Sequence, residues 1–506
     1  MNGGSSASRP GPPGSDVFLT ALVFVVGAAS LGAEITVARL MAPFFGASTI
    51  VWANTIGVVL VALAVGYWLG GRWADRHHDR RQLCLLVLGA AALIAVVPFA
   101  ARPFFNVAVD ALDQISAGAF LGSLIGVLVL VAVPVMLLGA ATPYALRLAV
   151  PDVEHAGAVA GRLYAVSTAG SLVGTMLSAL VLIPSIGTQR TFLVFALALG
   201  LVAAAGLGWR YFALPLALAG AIAIPVGTVK AAPGEKILYE GETTQQYVRV
   251  VQEPDGSRLL ELNEGQATHS FYRPGAFLTD QYWDSLLVLP FLSRSSPPRR
   301  VAVLGNAAGT TARQYGHFYP QASVDGVEID PKLAELGRRY FDMENPRLTV
   351  YNEDARPWLQ RSDGGYDEII VDAYRQPYIP FYLTTKEFFQ LVRDRLAPGG
   401  QVIVNVGHPD GNNDLERVLG RTMADVFPTV LRDPTEQENT LLVASDAPTS
   451  AARLLAAHVN PELRSLARID AARVQPRLPG GSVYTDDKAP VEWLIDKSII
   501  GYAAGK

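Results

Sequence analysis

Val301-Ala302-Val303-Leu304-Gly305-Asn306-Ala307-Ala308-Gly309-Thr310 is the stretch on which the fold of the second half turns. Residues 300–304 form a short apolar run that reads as a buried strand. Two glycines occupy the turn after it, and a helix is expected to about residue 318. Glycine in a first strand-to-helix turn permits a tight bend and lets a ligand approach the backbone. Working outward, strand and helix keep alternating. Residues 323–329 read as the second strand, closing on Glu328 and Asp330. Residues 331–340 read as a helix opened by Pro331. Residues 348–351 are the third strand and stop before Asp354; residues 366–371 are the fourth and stop at Asp372. A helix over 386–396 ends at Pro398-Gly399-Gly400, a fifth strand follows at 401–406, and further strands fit 427–432 and 439–445. Such alternation builds a mainly parallel α/β sheet with helices on both faces.

In such sheets ligands bind beyond the carboxyl ends of the strands. Glu328, Asp354 and Asp372 end three successive strands and so point to one crevice. Glu328 follows Gly305 by 23 residues. At that position a carboxylate reaches a ribose and can accept both hydroxyl hydrogens. No Lys/Arg cradle for a triphosphate is present, and G-x-x-x-x-G-K-[ST] is absent. A ribose-reading acid without a polyphosphate grip suggests a nucleoside cofactor such as S-adenosylmethionine or a relative, with NAD left open on fold grounds. Asp372 could attract a cationic amine and take its proton as nitrogen attacks a sulfonium-linked carbon.

Upstream, residues 231–292 read as a small β domain with a following helix. Strands are expected at 236–239, 247–252 and 258–263, with Glu253-Pro254-Asp255-Gly256 as a hairpin turn, and a helix over 280–292. Gln246 and Gln266 near the small sheet, and Asp280, Tyr282 and Asp284 on the helix, could wall a substrate pocket. The α/β domain occupies 299–506.

The first half has another solvent. Of 506 residues 50% are hydrophobic and only 17% charged, which excludes a disordered chain. The net charge of −4 divides into +4 over residues 1–230 and −8 over 231–506, which speaks against a nucleic-acid partner. A single cysteine, Cys84, excludes a disulfide framework and a multi-cysteine metal site, and no metal is expected. After a flexible Gly/Ser/Pro-rich start over 1–16, a helical domain of six or seven spans fills 17–228. The spans are placed near 17–38, 49–70, 83–100, 116–140, 158–183, 191–208 and 211–228. The arginines between Arg72 and Arg81 mark the inside end. Seven full spans would put residue 231 outside. Because sulfonium nucleosides are made in the cytoplasm, the soluble domain is expected there, with a re-entrant pair around Gly208-Trp209-Arg210 restoring even parity. Glu34 inside the first span is a functional candidate by default, and Asn54 on the second span can offer a hydrogen bond.

At this point the chain resembles the spermidine synthase family of aminopropyltransferases, in particular its membrane-fused relatives, over roughly 236–445. The resemblance is carried by Thr243-Thr244-Gln245-Gln246-Tyr247, Leu262-Asn263-Glu264-Gly265-Gln266, Asp280-Gln281-Tyr282-Trp283-Asp284, the 303–309 glycine loop, Val327-Glu328-Ile329-Asp330, Glu353-Asp354-Ala355 and Tyr366-Asp367-Glu368-Ile369-Ile370-Val371-Asp372-Ala373. It implies a Rossmann-like, class I methyltransferase-type domain. It implies catalysis by Asp372, nucleoside binding by Gly305, Asn306, Gly309, Glu328, Ile329, Asp354 and Ala355, and substrate contacts at Gln246, Gln266, Asp280, Tyr282 and Arg375. The implied reaction moves an alkyl group from decarboxylated S-adenosylmethionine to an amine in polyamine biosynthesis, in a cell-membrane protein that can pair as a homodimer. Three departures bear on that reaction. Ala308 and Arg375 stand where the family carries aspartates that hold amines, and Trp283 replaces a histidine. They weaken spermidine synthesis itself and keep open ordinary S-adenosylmethionine, a methyltransferase, or a transporter with a nucleoside-sensing domain.

Overall fold

The computed structural model describes residues 15–45, 49–113, 118–224, 236–263, 267–374, 379–408 and 411–494. It divides into two compact units.

The first unit is all helix: α1 Ser15–Phe45, α2 Thr49–Arg76, α3 Arg80–Asp113, α4 Gly118–Leu130, α5 Ala132–Ala149, α6 Ala156–Leu177, a π-turn Ser178–Leu182, α7 Ile183–Leu207, a 3-10 turn Trp209–Phe212 and α8 Ala213–Ala223. Five of its helical stretches are long and apolar enough to cross a membrane, among the described residues; one of them, Ala156–Leu207, is 52 residues long. Both spans expected at 158–183 and 191–208 lie within this helical stretch. It is broken at Gly187, whose φ of 80° and ψ of 169° leave the helical region. The span expected at 116–140 is divided at Val131 into α4 and α5.

Packing gives the direction of each pass. A Cβ on Gly170 would lie 2.2 Å from the Phe24 carbonyl oxygen, and one on Gly174 2.0 Å from that of Ala28. Glycine alone lets these backbones touch, and the rising numbers make α1 and α6 parallel. Gly32 meets Phe195 while Phe18 meets Gly206, so α7 runs back. Asn54 donates to Ser123 Oγ at 2.9 Å, and Arg147 pairs with Asp75 at 3.1 Å. Hence α4 and α5 together run parallel to α2. Arg80 covers the Phe18 ring at the start of α3, and Phe105 meets Phe44 further along it, so α3 follows α1. Pro215 packs on Gly200, and Arg190 Nη2 reaches the Ile224 carbonyl at 3.4 Å, so α8 returns along α7. Phe18, Arg80, Arg81, Arg147 and Arg210 thus mark one end of the unit, and Ile224 lies at the other. The expected re-entrant pair is not what the helices draw: α8 is short, but it travels back to the level of Arg190.

The second unit holds two sheets. β1 Lys236–Glu242, β2 Tyr247–Gln252, β3 Arg258–Leu262 and β4 Thr268–Tyr272 form an antiparallel meander. The α/β part follows the alternation expected: β5 Arg300–Leu304, β6 Ser323–Val327, β7 Leu348–Tyr351, β8 Tyr366–Val371, β9 Leu396–Gly407, β10 Thr429–Asp433, β11 Asn439–Ser445 and β12 Gln475–Pro476. Their order is β12-β10-β11-β9-β8-β5-β6-β7, parallel from β9 through β7 and antiparallel beyond β9. From β5 the chain steps outward to β6 and β7, then returns to lay β8 on the other side. The crevice between β5 and β8 is therefore the switch point where ligands bind in such sheets.

The helix expected over 280–292 is a correction. The chain makes one helical turn, α9 Tyr282–Ser285, and a 3-10 turn at Leu289–Leu292. Pro290 lacks the N–H that a continuous helix needs there. The segment is instead a buried apolar strap: Leu286, Leu287, Val288, Phe291 and Leu292 pack with Val301, Val303 and Tyr315. The strap, rather than a helix face, holds Tyr282 over the sheet.

Candidate active site

The carboxyl edge of the parallel strands is roofed by the small sheet over a cavity of about 590 Å³. Gly305 ends β5 with φ 98°, and a Cβ there would stand 2.4 Å from the Asp372 carbonyl oxygen. The missing side chain is what brings the ends of β5 and β8 together.

Asp372 is held from three sides. Asn405 Nδ2 donates to its Oδ1 at 2.8 Å and the Tyr282 hydroxyl to its Oδ2 at 2.9 Å; the Trp283 side chain adds a third hydrogen bond. Burial raises its carboxyl to about 6, against the pull of those three donors. Asn405 is itself oriented by Asn439, whose amide donates to Asn405 Oδ1 at 2.9 Å. The backbone N–H of Tyr282 donates to Glu436 Oε1 at 2.7 Å. This arrangement can accept a proton near neutrality without moving a side chain.

Glu328 lies at the end of β6 and accepts from the Ala307 and Asp330 backbone N–H groups, each at 2.9 Å. Burial raises its carboxyl to about 7. A ligand hydroxyl offered to this carboxylate would favour the ionised form. Asp330 caps the next helix, α10 being Thr310–Phe318 and α11 Pro331–Tyr340, through Lys332 N, and also accepts from Thr243 Oγ1 at 2.6 Å. The same Thr243 oxygen receives the backbone N–H groups of Gln245 and Gln246. One threonine thus ties the small sheet to the crevice and fixes the turn that presents Gln246. Asp354 caps α12 Ala355–Arg361 and receives the Tyr382 hydroxyl at 2.7 Å.

Gln246, Tyr282, Gly305, Glu328, Ile329, Asp354, Ala355 and Asp372 all line this one cavity. Four expected residues do not. Asp284 turns inward, accepting from the Thr279 N–H at 2.8 Å and from Gln314 Nε2 at 2.7 Å. Asp280 turns outward onto Arg273 at 2.8 Å. Asn306 sits in the core, its amide against Met343 Sδ. Gly309 packs against Met343 and serves the turn rather than the ligand. Gln266 and Arg375 lie outside the described residues. Ala308 is fully buried, its N–H on Ser270 Oγ, and does not face the cavity.

The structure also adds residues that were not singled out. Asn405 had a signal, a lone amide in the middle of an apolar strand. Glu436 and Glu438 lie on the turn between β10 and β11 and Asn439 opens β11; the antiparallel register brings them to the cavity by setting Asn439 opposite Gly407. His269 lines the wall with Nε2 unpartnered, and burial lowers its imidazole to about 4, so it is neutral. The described lining holds six carboxylates, Glu328, Glu353, Asp354, Asp372, Glu436 and Glu438, and no lysine or arginine. The chamber therefore carries a negative potential suited to cations. No group of three or more His, Cys, Asp or Glu side chains fit to hold a metal occurs among the described residues.

Residues 280–434 match the spermine/spermidine synthase domain family. The chain is homologous to the polyamine aminopropyltransferases. A "Probable polyamine aminopropyl transferase" of Bifidobacterium longum is 37% identical over 192 residues, 38% of this chain and 42% of that protein. "Polyamine aminopropyltransferase 2" of Ralstonia nicotianae is 27% identical over 434 residues, 78% of this chain and 79% of its own length. The second alignment takes in most of both chains; the first spans less than half of the relative. A solved structure of a probable spermidine synthase from Corynebacterium glutamicum aligns over 50% of this chain and 98% of its own, at 24% identity and a TM-score of 0.37.

Proposed function

We propose that the protein is a membrane-bound aminopropyltransferase. It moves an alkyl group from a decarboxylated S-adenosylmethionine-type nucleoside to an amine. The observation that carries this is a basic carboxylate, Asp372, set between Tyr282 and Asn405 in a chamber whose described walls carry only negative charge. Both substrates of such a transfer are cations, a sulfonium and an ammonium. Nitrogen attacks the carbon beside sulfur, the new C–N bond forms as the C–S bond breaks, and the thioether nucleoside leaves. Asp372 takes the proton released from nitrogen and returns it to water. Positioning of the two cations supplies much of the rate, and proton removal by a base of matched strength adds to it.

Ordinary S-adenosylmethionine carries a carboxylate as well, which the six carboxylates of the described lining would repel; that favours the decarboxylated donor over a methyl donor. Glu328 is assigned to the ribose, with Ile329 and Ala355 as apolar walls for the base. Cytoplasmic placement of the chamber follows from where such donors are made. Calorimetry tests the donor assignment: the decarboxylated donor should bind more tightly than S-adenosylmethionine. Glu328→Gln should weaken it by about 1.5–3 kcal/mol, the worth of a hydrogen bond to a charged group. Equal affinity of wild type and variant would remove Glu328 from the ribose.

A further inference from the structure

The helical unit carries an acid that transfer at Asp372 does not use. Glu34 stands in α1, within the apolar stretch Val17–Phe44 that is long enough to cross a membrane. At 1.5 Å per residue it lies about 15 Å from Phe44, the nearer end. A glutamate side chain is too short to reach water from that depth, so its charge has to be met inside the bundle. It is half-buried and has no hydrogen bond or ion pair among the described residues; Arg39, further along α1, does not pair with it.

Ser30 lies one turn before Glu34 on the same face of α1. It is only 6% exposed, and its hydroxyl has no partner. Other hydroxyls of the unit close on their own helices: Thr36 donates to the Gly32 carbonyl at 2.6 Å, Thr55 to Val51 at 2.8 Å, Thr175 to Ser171 at 2.9 Å and Thr191 to Gly187 at 2.8 Å. Ser178, which opens the π-turn after α6, donates across to the Gly32 carbonyl at 3.2 Å. The π-turn therefore meets α1 at a level between Ser30 and Glu34, and such turns are rare and recur at functional sites. Two polar groups thus stay open, one above the other, beside it.

We propose that Ser30 and Glu34 form a second site, inside the helical unit, for the head of a singly charged primary ammonium. The carboxylate supplies the single counter-charge, and its oxygens and the serine hydroxyl accept the N–H groups. Two side chains are too few to replace the water around a metal ion, and no cluster of three or more His, Cys, Asp or Glu fit to hold one occurs among the described residues. The alkyl tail is left to the apolar core around Val26 and Val37. Binding here does not depend on transfer at Asp372.

The experiment is carbodiimide protection of the full-length protein in lipid vesicles, in potassium phosphate buffer. Dicyclohexylcarbodiimide converts a carboxyl in apolar surroundings to an N-acylurea, and peptide mass spectrometry locates the adduct. Glu34 should be modified, and n-butylammonium should slow the modification. Sodium and tetramethylammonium, which have no N–H to donate, should not. Titration calorimetry of n-butylammonium into the full-length protein should show a site that Glu34→Gln abolishes and Ser30→Ala weakens by about tenfold, the worth of one hydrogen bond to a charged group. Glutamine keeps the volume of the side chain and brings no charge, so helix packing is kept, and both variants should form transfer product at the wild-type rate. An unmodified Glu34, modification that n-butylammonium does not slow, equal protection by sodium or tetramethylammonium, or a calorimetric site that survives Glu34→Gln would overturn the proposal. Failure of the transfer reading looks different: Glu34 is protected, but no donor is consumed.

Discussion

Asp372 has to be an anion to receive an ammonium and a base to relieve it of a proton. Burial moves its carboxyl from the usual 3.8 to about 6. The sign follows directly. A raised carboxyl contributes most below pH 4, and its contribution is lost as pH climbs through 6. Asparagine imitates the neutral form, so Asp372→Asn should be no less stable than wild type at pH 8, and more stable by on the order of 1–3 kcal/mol. Turnover should fall by about 10²-fold or more, and the wild-type rise in kcat/KM between pH 5 and 7 should disappear. Chemical denaturation at pH 5 and pH 8 beside a pH–rate profile checks both. A variant that unfolds at pH 8, or keeps full activity, contradicts the role. Asp372, Glu328 and Asp354 were legible in the sequence because each ends a strand that periodicity can place. Glu436 and Glu438 were not, since their position depends on β11 running antiparallel to β9, and no local pattern states that direction.

At the scale of elements, the turn between β5 and α10 decides whether the crevice closes. Gly305 combines a left-handed φ of 98° with a Cβ position 2.4 Å from the Asp372 carbonyl oxygen. Gly399 has a similar φ of 76° but nothing within 4 Å of its missing side chain. Gly399→Ala should therefore cost only backbone strain, about 1–2 kcal/mol. Gly305→Ala should cost clearly more and should lower nucleoside affinity, because β8 must yield. Denaturation midpoints of the two variants measure the difference; equal costs would show that the close approach does not matter. The glycine turn and the strands after it could be read beforehand, since apolar runs bounded by turn residues leave little choice. Two elements could not. Residues 280–292 have the apolar content of a helix, yet their burial on all sides and Pro290 favour an irregular strap. Thr268–Tyr272 is a strand mainly because β3 offers it an edge, and its own alternation is weak.

For the whole molecule, the helical unit makes a claim about sidedness. Helix directions put Asp79 near the arginine-rich end and Ile224 at the other. With Cys84 replaced, single cysteines at Asp79 and Ile224 should report opposite faces when intact cells are treated with an impermeant maleimide, one labelled and the other protected. The same answer from both sites would restore the even parity expected from the sequence. The apolar half was legible as membrane helices from hydropathy alone. The reversal at Gly187 falls in the gap left between the spans expected at 158–183 and 191–208; the break at Val131 inside the span expected at 116–140 was not legible. The central claim remains the transfer itself. It is tested most directly by mass spectrometry of all products formed when the purified full-length protein meets decarboxylated or ordinary S-adenosylmethionine and a panel of amines. The account predicts methylthioadenosine together with an amine lengthened by one aminopropyl group, formed from the decarboxylated donor and lost in Asp372→Asn. S-adenosylhomocysteine with a methylated product, or a donor left unchanged by every amine, would contradict it.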